Sequence, residues 1–151
     1  MKDKSILITG GTGSLGKALT KHILTNFPEI KRLVIFSRDE QKQFQMAQEF
    51  PETRYPQIRY FLGDVRDQAR LVRAFQGVDI VIHAAGKAHT VPKTSLDKQA
   101  FFNVNFKGTQ NLLQGLEESQ SLPKAFIFIS TVAVYGEENG INISENAPLL
   151  A

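Results

Sequence analysis

At 151 residues, the chain has the length of one domain and enough of it to bury an ordinary hydrophobic core. Hydrophobic residues make up 42% of it and charged residues 22%, a globular composition that excludes a disordered or collagen-like polymer. Eighteen Lys and Arg against fifteen Asp and Glu leave +3, scattered without the basic block that would point to nucleic acid, and the lack of any cysteine excludes disulfide scaffolds, thiolate zinc sites and thiol nucleophiles. The apolar run at 78–85 is broken by Asp79 and His83, far short of the roughly 20 residues of a membrane span. The first apolar run stops at a Gly-rich turn instead of a cleavage site. The expectation is a cytoplasmic protein without a transmembrane helix.

In chain order, β-rich runs fall at 6–8, 33–36, 58–61, 80–82 and 126–129, and stretches of helical length lie between them at 15–26, 39–49, 67–75 and 97–118. Strands alternating with helices long enough for crossovers predict parallel pairing. The first, second and fourth runs are nearly continuous in apolar residues, as strands covered by helices on both faces are. The expected fold is therefore an α/β doubly wound parallel sheet of about five strands in the order 3-2-1-4-5. In the fourth helix Phe102, Phe106, Thr109, Leu113 and Leu116 recur at spacings of four and three, predicting its buried face, with Asn105 beside that stripe. After Tyr135, Gly136, Asn139-Gly140 and Pro148 predict irregular chain. As an edge strand, the uncharged run Phe126-Ile127-Phe128-Ile129 would lack the usual protection. Together with the helix face around Phe101 and Phe106 it predicts self-association.

Thr9-Gly10-Gly11-Thr12-Gly13-Ser14-Leu15-Gly16 joins the first strand to the first helix, where a dinucleotide fold places its phosphate turn. Gly10 can take the turn, Gly13 leaves the backbone open to a pyrophosphate, and Gly16 lets the helix approach the strand. The helix start adds free N–H donors and a positive dipole end. Gly10, Thr12, Gly13, Ser14, Leu15 and Gly16 are the candidate cofactor-binding residues here. Dinucleotide choice turns on the end of the second strand, where an acid would bind the ribose 2′-OH. Residue 37 is Ser, followed by Arg38, and a guanidinium can bind a 2′-phosphate. Lys42, one helical turn past Arg38, would add charge. This set favours NADP, while Asp39 leaves NAD open. Ser37 can also be the N-cap of the second helix. His22, His83 and His89 have neither a Cys partner nor a paired helical spacing, so no metal site is expected.

With the G-x-x-G-x-x-G spacing, Asp64-Val65 after the third strand, His83-Ala84-Ala85-Gly86 after the fourth, Val104-Asn105-Phe106-Lys107-Gly108-Thr109 on the fourth helix and Ile129-Ser130-Thr131-Val132-Ala133-Val134-Tyr135-Gly136 after the fifth, the chain resembles the extended short-chain dehydrogenase/reductase family. Nucleotide-sugar epimerases, dehydratases and reductases belong to it. The resemblance implies a Rossmann-type domain in which Asp64 and Val65 hold the adenine. Ala84, Ala85 and Gly86 would line the phosphate and nicotinamide-ribose side, Asn105 would brace the strand ends, and Ser130 would belong to the cofactor set. Two plainer alternatives stand beside these roles: Asp64 caps the helix near Asp67, and Asn105 is a satisfied buried amide. Lys87 or His89 could approach a sugar diphosphate.

Ser37-Arg38-Asp39-Glu40 also resembles the inverting UDP-N-acetylglucosamine 4,6-dehydratases. Sugar 4,6-dehydratases of the family, however, carry Asp-Glu or Asp-Lys after the Thr that Thr131 matches, and Val132-Ala133 stands there instead. The resemblance thus implies an epimerase or 4-keto reductase, with Thr131 as the catalytic residue that bonds the substrate oxygen at the hydride-transfer carbon. Family catalysis further uses Tyr-x-x-x-Lys, in which the Lys lowers the tyrosine pKa. Tyr55, Tyr60 and Tyr135 are followed four residues on by Arg59, Asp64 and Asn139. The expectation is a fragment, inactive alone, of a nucleotide-sugar epimerase-like oxidoreductase; the alternatives are a nucleotide-sugar 4,6-dehydratase or 4-keto reductase, and a non-catalytic dinucleotide-binding protein or truncated remnant.

Overall fold

Parallel strands flanked by helices bury both of their faces, and their alternate residues must feed two separate cores. The computed structural model describes residues 1–87, 92–119, 122–136 and 141–149. Its strands are β1 (Ser5–Thr9), β2 (Arg32–Ser37), β3 (Ile58–Leu62), β4 (Ile80–His83) and β5 (Ala125–Phe128). They form one parallel sheet in the order β3-β2-β1-β4-β5. The expected doubly wound α/β fold and strand order are both observed.

The helices are α1 (Ser14–Asn26), α2 (Glu40–Glu49), α3 (Gln68–Ala74), α4 (Ser95–Phe101) and α5 (Gly108–Glu118), the last two joined by a π-helical turn at Phe102–Lys107. Ile6, Ile8, Leu33, Ile35 and Ile82 project into one core, against Ile23 and Leu24 of α1 and Met46 of α2. Leu7, Val34, Phe36 and Val81 project into the other, against Leu71 of α3 and Leu112 and Leu116 of α5. This period-two division is the sequence pattern made physical. At the N-terminal edge of the sheet, Asp79 accepts the Ser5 backbone N–H at 2.9 Å and faces Lys4 and Lys124. That N–H bond and the lysine charges hold its carboxyl below the usual carboxylate range.

Two expectations need correction. The helix expected over 97–118 begins at Ser95, capped by Thr94, and is broken by the π turn, whose extra residue rotates the following face. The buried positions of α5 are consequently Gly108, Leu112, Gly115 and Leu116. Phe102, Phe106 and Leu113 of the expected core stripe are exposed. Ser37 is not the cap of α2: Asp39 is, accepting the Lys42 N–H at 2.9 Å.

Past β5, the chain forms a 3-10 turn at Val132–Tyr135, and 141–149 has neither helix nor strand. His89 and the Asn139-Gly140 signal lie outside the described residues. Every described residue of β5 is exposed, with Ile127 at 46% and Phe128 at 51%, which is the unprotected edge the sequence predicts.

Candidate functional site

In-register parallel strands deliver their outgoing loops to one edge of the sheet. Thr9 of β1 lies level with Phe36 of β2 and with His83 of β4, and His83 lies level with Phe128 of β5. The segments starting at Gly10, Arg38, Ala84 and Ile129 therefore leave the sheet along its C-terminal edge. β2 lies on one side of β1 and β4 on the other, so the chain connections diverge there. That divergence opens the crevice in which doubly wound folds bind ligands.

The glycine turn is built around close approaches. Gly10 has φ +67°, a left-handed conformation costly for residues with a Cβ, and a Cβ there would also lie 2.7 Å from the Ala84 carbonyl oxygen. At Gly16 a Cβ would collide with the Gly11 backbone, so the start of α1 packs on the turn only without a side chain. Gly13, Ser14 and Leu15 are exposed, and an added Cβ at Gly13 would meet only the Gly10 carbonyl oxygen, at 3.2 Å. Gly13 is the N-cap of α1, with no side chain capping it and no acid in the first turn. The starts of α2, α3 and α4 are capped by Asp39, Asp67 and Thr94.

Beside the turn, buried Thr12 and Ser37 share a hydroxyl–hydroxyl bond of 2.8 Å. Buried Gln43 supports the same corner from α2, its amide donating to the Ser37 carbonyl at 3.1 Å and to the Phe61 carbonyl at 3.0 Å. Arg38 extends past β2 with its guanidinium 3.9 Å from the Asp64 carboxylate. Arg66 grips that carboxylate with two side-chain bonds of 3.0 and 2.7 Å, and both arginines lower the Asp64 pKa, the Arg66 bonds most. Asp64 is thus an anchored carboxylate, and the cap of α3 is Asp67. Val65 is buried in the second core. Lys42 places its ammonium 3.7 Å from Asp39.

On the β4 side, the Ala84 N–H donates to the Thr9 carbonyl and the Ala85 N–H to the Thr9 hydroxyl at 3.2 Å, while Gly86 is exposed. Asn105, in the π turn, accepts the Lys87 N–H at 2.7 Å and donates to the Lys87 carbonyl at 3.0 Å. It is a satisfied amide, but exposed, not buried. Its amide clamps the loop after β4 at two points. Lys87 holds its ammonium 5.3 Å from the Phe101 ring centre. Beyond β5, Ser130 and Thr131 line a shallow depression with Val134, Tyr135 and Leu149.

Arg66, Gln43 and the hydrogen-bonding role of His83 escape the sequence reading, although a His ending an apolar strand run was the available signal for the last. His83 is fully buried, with Nδ1 2.6 Å from the Thr9 hydroxyl and Nε2 3.0 Å from the Thr109 hydroxyl. No metal-binding cluster exists among the described residues.

A family model described as "Polysaccharide biosynthesis protein" matches residues 6–139. The chain is 47% identical over 116 residues to the inverting UDP-N-acetylglucosamine 4,6-dehydratase of Campylobacter jejuni, covering 77% of this chain and 33% of that protein. It is 37% identical over 135 residues to the UDP-glucose 4-epimerase of Rickettsia bellii, covering 88% of this chain and 38% of the relative. Among solved structures, the dTDP-glucose 4,6-dehydratase DesIV of Streptomyces venezuelae, with NAD and TYD bound, superposes with a TM-score of 0.79 at 27% identity, over 97% of this chain and 45% of the other. The chain spans about a third to two fifths of the length of these curated relatives. No described helix is long and apolar enough to cross a membrane.

Burial pushes the His83 imidazole down from 6.5 to about 4. The unfolded ring takes up its proton near its ordinary value and the folded one only near the lower, so the unfolded state binds more protons between them. Stability is complete above the higher value and is lost as pH falls through the window, by on the order of 3 kcal/mol from this group. Urea unfolding between pH 7 and pH 4 should show a falling midpoint, and His83→Gln should flatten that fall; an equally steep fall in the variant would contradict the assignment.

Proposed function

The chain belongs to the polysaccharide biosynthesis protein family and to the epimerase/dehydratase branch of the extended short-chain dehydrogenases/reductases, and on that premise we propose that it forms the dinucleotide-binding part of a nucleotide-sugar epimerase-like oxidoreductase. The start of α1 carries the reading. Its N–H groups have no side-chain cap, and they follow a turn whose glycines at 10 and 16 admit no side chain. A pyrophosphate fits such a donor set by hydrogen bonding and by the helix dipole together.

The residues present fit a nicotinamide dinucleotide. Gly10, Thr12, Gly13, Ser14, Leu15 and Gly16 would receive the pyrophosphate, Asp64 and Val65 the adenine, and Ala84, Ala85, Gly86, Asn105 and Ser130 the nicotinamide side. When bound, the nicotinamide supplies the hydride acceptor and donor for the sugar carbon. Thr131 would hold the substrate oxygen there and orient it. None of the three tyrosines has a lysine four positions on, and under this reading the 151 residues bind cofactor without turning over a UDP- or dTDP-sugar.

A second reading, a UDP-N-acetylglucosamine 4,6-dehydratase, is favoured by the 47% identity to the Campylobacter enzyme and by Ser37-Arg38-Asp39-Glu40. Val132-Ala133 after Thr131 favours the epimerase. Both readings place the same cofactor in the same crevice.

NADP is the proposed dinucleotide. Residue 37 carries no acid, the Asp39 carboxylate is engaged by Lys42 and by its cap, and the Arg38 guanidinium is exposed beside Ser37. Calorimetric titration of the chain should give tighter binding of NADP than of NAD. Arg38→Ala should weaken NADP by about 1.5 to 3 kcal/mol, a lost charge-assisted bond, and leave NAD nearly unaffected. Equal affinities, or an indifferent variant, would rule out this choice.

Gly13→Val should abolish dinucleotide binding while circular dichroism stays that of the folded chain, because the branched side chain would stand where the pyrophosphate lies. Undiminished binding would reduce the turn to a structural element.

Self-association is part of the same proposal. The apolar β5 edge and the exposed Phe102 and Phe106 rings, stacked at 4.9 Å, offer surface that proteins usually cover. Light scattering should show the apparent mass rising with concentration and Ile127→Lys suppressing the rise; a concentration-independent monomer would contradict it.

A further inference from the structure

We propose that Thr9, His83 and Thr109 are positioning residues, linked in a one-way hydrogen-bond chain from the Ala85 amide to the Asn105 carbonyl that sets the loop after β4 against the π turn. The consequence for cofactor binding rests on the function proposed above; the chain itself does not.

The direction of every bond follows from which atoms own a proton. The Thr109 hydroxyl lies 2.7 Å from the Asn105 carbonyl oxygen. A carbonyl can only accept, so the single hydroxyl proton of Thr109 is spent there. The same oxygen lies 3.0 Å from His83 Nε2 and must accept from it, which makes Nε2 the protonated ring nitrogen. A neutral imidazole then presents Nδ1 as an acceptor, and the Thr9 hydroxyl, 2.6 Å away, is its donor. Thr9 in turn accepts the Ala85 N–H at 3.2 Å. Four bonds in series thus leave one tautomer and one orientation for each hydroxyl. The buried ring stacks beside Phe126 and Phe128, an apolar setting that favours the neutral form.

The chain ends where Asn105 begins a second link. Thr109 holds the Asn105 backbone, while the Asn105 amide grips both backbone groups of Lys87. The segment from Ala85 to Lys87 is therefore tied at both ends to the π turn, once through His83 and once directly. In that turn the Gly108 N–H bonds back five residues to the Asn103 carbonyl, and a π turn of this kind commonly marks a functional position. A polar network buried at Thr9 and His83, with every member satisfied, holds its surroundings in one arrangement, here the loop that bears Ala85 and Gly86 and the turn that bears Asn105.

The test uses the 151-residue chain with 15N-labelled histidine. Long-range proton–nitrogen correlation spectra at pH 7 should show His83 protonated on Nε2 and bare on Nδ1; a ring protonated on Nδ1, or on both nitrogens, overturns the proposal. Thr109→Val should shift the His83 ring nitrogens and the Ala85 and Lys87 amides and raise the NADP Kd by about fivefold, the scale of one net hydrogen bond. Thr109→Ser should restore both. A Thr109→Val protein with unshifted Ala85 and Lys87 amides also overturns it. Should Thr109→Val fail to fold, the pair Thr9→Val and Thr9→Ser puts the same question from the other end of the chain, read at the Lys87 amide. If the wild-type chain binds no dinucleotide, the proposed function falls, while the ring tautomer and the amide shifts still decide the hydrogen-bond chain.

Discussion

Everything at the candidate site depends on β1 being buried from end to end between two parallel neighbours. A strand with no solvent on either face and none at its edges must release its chain at one end only, and all five of its residues are buried. The register then forces the neighbours to end at the same level. Because β2 and β4 flank β1 on opposite sides, their outgoing loops separate, which in a doubly wound fold leaves a space above the end of the middle strand. The glycine turn lies in that space because Gly10 must turn left-handed against Ala84, and any side chain at Gly16 would push α1 off the turn.

A buried donor or acceptor left unpaired at the end of such a strand costs on the order of 1 to 3 kcal/mol. Thr9 and His83 sit side by side at this end, both fully buried, and their hydroxyl and imidazole satisfy one another. The crevice floor is consequently a hydrogen-bonded lattice joined to α5 through Thr109, and an aliphatic pair would supply none of that linkage. Rigidity at the floor is what a site needs to hold a long, jointed ligand in one pose.

How much of this was legible in the sequence follows from the range of each interaction. The strands were legible because continuous apolar runs have few other uses, and the strand order because alternating elements restrict the topology. Gly10 and Gly16 were legible because their constraint is local to one turn. The face of the fourth helix was misread because the stripe Phe102, Phe106, Thr109, Leu113, Leu116 assumes an uninterrupted α period, and the π turn rotates the register. Once shifted, the buried set becomes Gly108, Leu112, Gly115 and Leu116. The cap of α2 was misplaced by two residues because Ser37 and Asp39 are both good caps, and only the bond between Ser37 and Thr12, 25 residues away in sequence, assigns the Ser elsewhere. Arg66 was missed although its partner Asp64 lies only two residues away, because only the local conformation after β3 brings the two side chains together.

The meeting of Arg38, Asp64 and Arg66 also sets the charge on the β2 side of the crevice. One carboxylate faces two guanidiniums, a local surplus of one positive charge, while Asp39 and Lys42 next to them cancel. The two arginines are not equivalent. Arg66 is committed by two short bonds to Asp64, whereas Arg38 stands off at 3.9 Å with 60% of its side chain exposed, where a solvent-screened pair is worth little. An incoming phosphate could therefore recruit Arg38 without first breaking a strong bond, and Asp64 would keep its partner. Had the acid usual for a ribose 2′-OH stood at Ser37, it would have competed for the same guanidinium and repelled the phosphate. With a hydroxyl there, held by Thr12, the surplus charge stays available to an anion.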